Sequence, residues 1–272
     1  MKFAMVIVLY NEKINQSLTF QCVKDSPATL VLVDNSPTDE IRNYNQTYAA
    51  DHNIIYLTKN ANIGLSQAYN LALTTIKTLD VDYVIMLDDD TNISPEYLSL
   101  LQNFDFKPQT LYTPLIYNDS GVLVNPNYHC DNYLFEYIKT KKYNSPAMVE
   151  TLVGTDKLYA INSGLIFPIN FFNQFSYDEN IFLDCVDHYC CKQAYKLGYT
   201  VDIFPTSIVQ NYSVDSIAQN SVESNFQRLN IRLHDTKVYN KSTFFINKLI
   251  YIAMYILKTK NLSYLKLIFK RY

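Results

Sequence analysis

Short apolar runs alternate with stretches of helical polar–apolar spacing through the first half of the chain. FAMVIVLY (3–10) leads into an amphipathic stretch reaching about Val23. TLVLVD (29–34) leads into a helix predicted over 39–52, NIIYL (53–57) into one over 65–78, and DYVIML (82–87) into one that opens at Pro95. Apolar runs of strand length between helical patterns predict βαβ units and a parallel sheet. Ligands of such sheets bind beyond the carboxyl ends of the strands. The polar residues there are Asn11 and Glu12, Asp34 and Asn35, and the triplet Asp88–Asp89–Asp90.

The second half is less regular. Residues 110–117 and 123–124 read as extended, and 126–157 as loops or short irregular pieces rich in tyrosine. AINSGLIFP (160–168) reads as extended, 184–197 as a helix ended by Gly198, YTVDIFP (199–205) as a strand, and the chain from Asn220 onward as mostly helical. No internal repeat or low-complexity linker interrupts it.

Composition narrows the class. With 272 residues, 48% hydrophobic and 18% charged, the chain is long enough for one large domain with an appendage. A net charge of −3 gives no basic field for nucleic acid. The charge is uneven: residues 241–272 hold seven Lys/Arg and no acid, so residues 1–240 carry −3 − 7 = −10. The five cysteines are odd in number and lack metal-ligand spacing, which fits reduced thiols and a cytoplasmic setting. MKFAMVIVLYNEK resembles a signal peptide superficially, but its apolar run is short and reads as a buried first strand. No run reaches the length of a membrane-spanning helix.

Three like charges at the end of an apolar strand are unfavourable unless solvent screens them or a cation sits among them. The plain reading is a solvated acidic turn capping the Pro95 helix. The sharper one is a site for Mg²⁺ or Mn²⁺, which prefer carboxylate oxygens and bridge them to phosphates. The five glycines form neither a dinucleotide fingerprint nor a P-loop. A D-x-D-x-T phosphatase would need Thr where Asn92 stands, and no G-x-S-x-G hydrolase motif exists. Downstream, Asp184 and Asp187 are spaced to share one face of the helix predicted over 184–197. Acids there suit the helix dipole, and a carboxylate facing a metal–nucleotide site could also serve as a general base.

Taken in order, VLYN (8–11), VDNSPTD (33–39), NIGLSQAYN (62–70), LDDD (87–90), NSGLIF (162–167) and FLDCVDHYCCKQAYKLGY (182–199) resemble the inverting family 2 glycosyltransferases of GT-A fold over roughly residues 3–205. The nearest subgroup is similar to bacterial rhamnosyl- and galactofuranosyl-type transferases of surface polysaccharides. The resemblance implies an α/β catalytic domain over 1–215, with a nucleotide-sugar half to about 118 and an acceptor half beyond. A basic helical extension over 216–272 would follow. It implies that Tyr10, Asn11 and Asp34 surround the donor nucleoside, that Asn62 and Gly64 shape the adjoining loop, and that Asn162 and Ser163 line the substrate. Asp88 and Asp90 would form the D-x-D, with Asp90 on Mn²⁺ or Mg²⁺ and Asp88 on the ribose or a metal-bound water. Asp89 would also lie on the substrate. Asp187 would be the base that deprotonates the acceptor hydroxyl, and Asp184 would either bind the acceptor or support the residues that do. The implied partners are a UDP- or dTDP-linked sugar, with Asp89 favouring UDP, and a glycan or lipid-linked acceptor.

The chain departs from the pattern in two places. Tyr189 stands where many relatives carry an acid after the base, and SIVQNYS (207–213), with Gln210 and Asn211, stands where many carry a metal-binding His. His188 reads as a bystander. A sugar nucleotidyltransferase would need a Gly-rich basic loop where VLYNEKINQS stands. A non-catalytic sugar-binding or scaffolding relative would have no reason to keep Asp34, Asp88, Asp90 and Asp187. The basic, aromatic tail at 242–272 is expected either to pack on the protein or across a homodimer, or to touch the inner membrane face.

Overall fold

The computed structural model describes residues 1–128, 158–210, 217 and 220–272. Most of the region expected to be irregular (126–157) falls outside these, as do Cys130 and Asn211.

The alternation of the first half is realised as β1 (Phe3–Leu9), α1 (Leu18–Val23), β2 (Thr29–Asp34), α2 (Asp39–Asp51), β3 (Ile55–Thr58), α3 (Leu65–Ile76), β4 (Tyr83–Asp88), β5 (Thr91–Ile93) and α4 (Pro95–Asn103). Strands β3, β2, β1 and β4 lie side by side and parallel. All seven residues of β1 are buried, as a strand covered on both faces requires. Register aligns the strand ends: Leu9 pairs with Asp34 on one side, and Val8 with Asp88 on the other. Both acids therefore emerge at one edge, flanking the end of β1.

The second half contributes β6 (Thr110–Tyr117), β7 (Leu123–Asn125), β8 (Asn127–Tyr128), β9 (Leu158–Tyr159), β10 (Ile166–Pro168) and β11 (Thr200–Gln210). The main sheet runs β3-β2-β1-β4-β10-β6-β11-β5, with β7 beside β6, while β8 and β9 form a separate pair. Strand β10 is antiparallel to β4 and β6, and β5 is antiparallel to β11. The sheet is thus parallel on the first-half side and mixed on the other.

Four expectations need correction. AINSGLIFP is extended only over its last three residues, because Gly164 adopts φ +79° and turns the chain into β10. Strand β11 does not stop at Pro205 but runs to Gln210, with a register irregularity between Ile203 and Ser207. The predicted helix at 184–197 is α5 (Val186–Lys196), because Cys185 at φ +66° ends helical geometry before it. Asp184 is therefore not on that helix. Lastly, the helix α4 is capped by Ser94, whose Oγ accepts from the Tyr97 N–H at 3.2 Å, not by the acidic triplet. Strand β5 separates the triplet from the helix, so capping does not explain three adjacent carboxylates.

The chain closes with α6 (Val222–Tyr239), α7 (Phe244–Thr259) and a final 3₁₀ turn, Leu262–Ile268. Leu229, Leu233, Tyr251, Ile252, Tyr255 and Tyr264 belong to the same buried cluster as β1 and β4. Among the described residues no helix is long and apolar enough to cross a membrane.

Candidate active site

The turn between β4 and β5 is clamped from beneath by the start of α1. Ser17 Oγ donates to the Asp89 carbonyl at 2.8 Å, and the Thr19 N–H donates to the same oxygen at 3.2 Å. Thr19 Oγ1 lies 2.5 Å from the Asp88 carbonyl and accepts from the Thr91 N–H at 2.8 Å. These buried hydroxyls fix the turn's backbone and so aim its three side chains. Asp89 Oδ2 accepts from the Tyr10 N–H at 3.1 Å, Asp88 Oδ2 accepts from Gln210 Nε2 at 2.6 Å, and Asp90 is exposed. Gln210 arrives there because it pairs with Thr91 at the end of β11.

A second pair of residues joins this turn to α5. The Asp88 N–H donates to Ser163 Oγ at 3.2 Å, and the Asn162 N–H donates to Asp187 Oδ1 at 3.0 Å. Ser163 Oγ also lies 2.7 Å from Thr91 Oγ1. The segment Asn162–Ser163 thus ties the end of β4 to the first turn of α5 and brings Asp187 to Asp88.

Burial, then the Asp187 and Asp90 charges, push Asp88 up to about 7, against the pull of the Gln210 amide. Burial raises Asp187 to about 6, although the Asn162 N–H and nearby His188 oppose it. Asp89 rises to about 6, mainly by burial and against the Tyr10 N–H, and Asp90 is raised as well, again chiefly by burial. Four carboxyls raised above their ordinary range, chiefly by burial, are groups whose ionised forms a nearby cation would favour. Three buried polar atoms beside them have no partner: Gln210 Oε1, Asn162 Nδ2 and the Tyr69 hydroxyl, whose ionisation burial and then Asp88 and Asp187 suppress. Unsatisfied groups around a charged cleft fit a ligand or bound water. Among the described residues no group of three or more His, Cys, Asp or Glu forms a protein-only metal cage. Mg²⁺-type sites bound through one or two carboxylates and substrate phosphates need none.

Beside this cluster lies a shelf built by asparagines. Asn35 Nδ2 donates to Asn62 Oδ1 at 3.0 Å, and Asn35 Oδ1 accepts from the Ile63 N–H at 2.9 Å. Asn62 Oδ1 also accepts from the Gly64 N–H at 3.0 Å. Asn11, at φ +59°, donates its N–H to Ser36 Oγ at 2.9 Å. The Tyr10 ring is exposed above them. Asp34 is 1% exposed. Its Oδ2 accepts from Asn45 Nδ2 at 2.8 Å and Tyr56 Oη at 3.1 Å, and its Oδ1 accepts from the Ser36 N–H at 3.0 Å. Asp34 therefore holds α2 and β3 to the shelf.

Asp184, expected either to bind the acceptor or to support the residues that do, has both carboxylate oxygens engaged by Arg228 and Arg232 of α6. Burial would raise it, but Arg232 and Arg228 outweigh burial and hold it below the ordinary carboxylate range. Buried Asp235 accepts the Phe182, Leu183 and Asp184 N–H groups at 3.0, 2.8 and 2.8 Å. The sequence reading did not name Arg228, Arg232, Asp235, Ser17 or Thr19. The two arginines stand four apart on α6 with Asp235 three further on, and that spacing was the available signal; Ser17 and Thr19 carry none.

The glycosyl transferase family 2 model matches residues 5–160, more than half of the 272. This chain belongs to glycosyl transferase family 2. The match stops short of Asp187 and Gln210, so the second half of the transferase's site rests on its own geometry. Solved structures show the same GT-A fold. TarS 1-349 of S. aureus is 14% identical with a TM-score of 0.54, covering 95% of this chain and 81% of that one. The TarS 1-349 complex with UDP-GlcNAc is 16% identical with a TM-score of 0.52, covering 87% and 67%. The mannosyltransferase PcManGT of Pyrobaculum calidifontis, in complex with GDP-Man and Mn²⁺, is 12% identical with a TM-score of 0.57, covering 98% and 78%. A search of curated protein sequences returned no match.

Proposed function

We propose that this glycosyltransferase moves a sugar from a UDP- or dTDP-linked donor to a hydroxyl of a glycan or lipid-linked acceptor. Transfer would invert the anomeric centre and depend on Mn²⁺ or Mg²⁺. The setting would be the cytoplasmic assembly of a bacterial surface polysaccharide. The observation that carries the reading is the meeting of Asp88, Asp90 and Asp187 at the end of β4, with carboxyls raised by burial and, at Asp88, by the neighbouring acids. Structures of the same fold hold UDP-GlcNAc, or GDP-Man with Mn²⁺, which supports a nucleotide-sugar donor and a divalent ion here.

The roles follow from placement. Tyr10, Asn11 and the Asn35–Asn62–Gly64 shelf receive the nucleoside, and Asp34 fixes that shelf from below. Exposed Asp90 and Gln210-oriented Asp88 would hold the metal, which when bound supplies Lewis-acid neutralisation of the leaving diphosphate. Asp89 is turned to the Tyr10 amide and sets the angle between the donor shelf and the acidic turn. Asn162 and Ser163 keep Asp187 and Asp88 in fixed relation. Asp187 takes the proton of the acceptor hydroxyl, and its raised pKa keeps it basic enough to do so near neutrality. Asp184 acts through Arg228 and Arg232, fixing the turn that precedes α5.

Thermal-shift measurements with UDP-, dTDP- and GDP-sugars, with and without Mn²⁺, test the reading, because a ligand of the folded state raises its melting point. A rise with a uridine or thymidine nucleotide that needs Mn²⁺ is expected. No rise with any nucleotide would overturn it.

A further inference from the structure

We infer that the last helix and the closing turn form a docking face for an anionic phospholipid bilayer, independently of the sugar-transfer reading. Helix α7 is amphipathic in the inverted sense. Its inward face carries Asn247, Lys248, Tyr251, Ile252 and Tyr255, all buried, while Phe245, Ile246, Leu249 and Leu257 are exposed. Positions 245, 249, 253 and 257 repeat every four residues, so these side chains form one stripe along the helix. Leu262, Leu265 and Phe269 of the closing segment add to it, with Leu257 78% and Phe269 86% exposed. Seven of the thirteen large apolar side chains exposed among the described residues lie within 245–269. Scattered exposed apolar residues need no explanation, whereas a contiguous group does.

The face is rigid, so its exposure does not come from a frayed end. Buried Lys248 donates from Nζ to the carbonyls of Ile268 and Lys270 at 2.8 and 2.9 Å, strapping the closing turn to α7. Lys270 Nζ and Tyr272 Oη reach Asn230 Oδ1 on α6 at 2.9 and 2.8 Å. Tyr264 packs against Phe226 and Tyr255 beneath.

Charge selects the occupant. Lys258, Lys260, Lys266, Lys270 and Arg271 are exposed in the same segment, Lys270 Nζ also reaching Asn230, and residues 241–272 contain no acid. A two-fold contact between copies would set basic segment against basic segment, which opposes self-association through this face. Apolar side chains interspersed with lysine are what an anionic headgroup layer accommodates, the rings and aliphatic chains entering while the ammonium groups meet lipid phosphates.

Co-sedimentation of the full chain with vesicles of phosphatidylcholine and phosphatidylglycerol in equal parts tests this. Binding at low salt is expected, with loss in high salt and on pure phosphatidylcholine. Lys260→Gln/Lys266→Gln/Arg271→Gln should weaken partitioning roughly a hundredfold, and Leu257→Gln/Phe269→Gln should remove it. Both variants should keep the melting point of the parent, since all five side chains are exposed. Absence of the full chain from the pellet would overturn the assignment. So would equal binding to uncharged vesicles, or a dimer in solution that Leu257→Gln/Phe269→Gln dissociates.

Discussion

At the residue scale, the site turns on which carboxylate is free to react. Asp184 is committed to two arginines; Asp89 and Asp187 each accept one backbone N–H and have pKa values raised to about 6, but Asp187 reaches the acidic turn from α5 whereas Asp89 belongs to the turn itself. Asp187→Asn keeps the shape and removes the proposed base. Turnover is expected to fall about a hundredfold or more, while the dissociation constant for the donor nucleotide stays near that of the parent. The parent's rate should rise as pH passes about 6 and then level off, because only the ionised carboxylate accepts a proton; the residual rate of Asp187→Asn should lack that step. A parent-like pH profile in Asp187→Asn would move the role of base elsewhere. Gln210 permits a second test. Its Nε2 steadies Asp88, and its buried Oε1 has no partner. Gln210→Leu deletes the orphan acceptor but leaves Asp88 Oδ2 without its donor, so the fold should lose about 1–3 kcal/mol. Asp88 becomes harder to ionise, and nucleotide affinity in Mn²⁺ should drop roughly tenfold, one lost charge-assisted hydrogen bond, as titration calorimetry would show.

At the element scale, the parallel half was legible because strands buried on both faces must be apolar throughout, and the acids at their ends were legible because the register of such strands puts their ends together. The fold of the second half was less so, for physical reasons. Gly164 and Cys185 hold left-handed backbone that breaks off β10 and α5 where periodicity would continue them. Strand β5 is three residues long, too short to carry a pattern. The partners of Asp184 come from α6, far along the chain; the spacing of Arg228, Arg232 and Asp235 marks one helix face but does not say which acid that face meets. Gly64 was read as a loop-shaping residue, and the structure supplies a cause: at φ +80°, a Cβ there would lie 2.6 Å from the Phe182 ring and 2.7 Å from its carbonyl. The close approach lets the Leu65 N–H donate to the Phe182 carbonyl at 2.6 Å, joining α3 to the turn before α5. Gly64→Ala should therefore cost about 1–3 kcal/mol of stability, measured by denaturant unfolding, and should weaken nucleotide binding as well. Unchanged stability would show that the 182–184 turn yields freely.

At the scale of the whole molecule, the acidic cluster couples folding to pH and, on the proposed reading, to a divalent ion. In the unfolded chain a carboxyl titrates near pH ~4, whereas Asp88 stands at about 7 and Asp89 and Asp187 at about 6 in the fold. Between those limits the native protein binds more protons than the unfolded chain. Stability from these groups is thus fully present below their unfolded values and is lost as pH rises toward 7. Asp184 runs the other way: its lowered pKa gives stability that is present above its unfolded value and lost only in stronger acid. It therefore does not mask the trend above pH ~4. A divalent ion bound as proposed would take the place of the missing protons, so its binding should strengthen as they leave. In metal-free buffer the melting point is expected to decline between pH 5 and pH 8. Mn²⁺ with UDP should restore roughly 5 °C or more at pH 8 and little at pH 5. Asp90→Ala removes the exposed carboxylate of the pair and should abolish the Mn²⁺-dependent part while leaving the metal-free decline in place, since Asp88 and Asp187 remain. A Mn²⁺ effect of equal size at both pH values, or one that survives in Asp90→Ala, would show that the ion binds away from the end of β4.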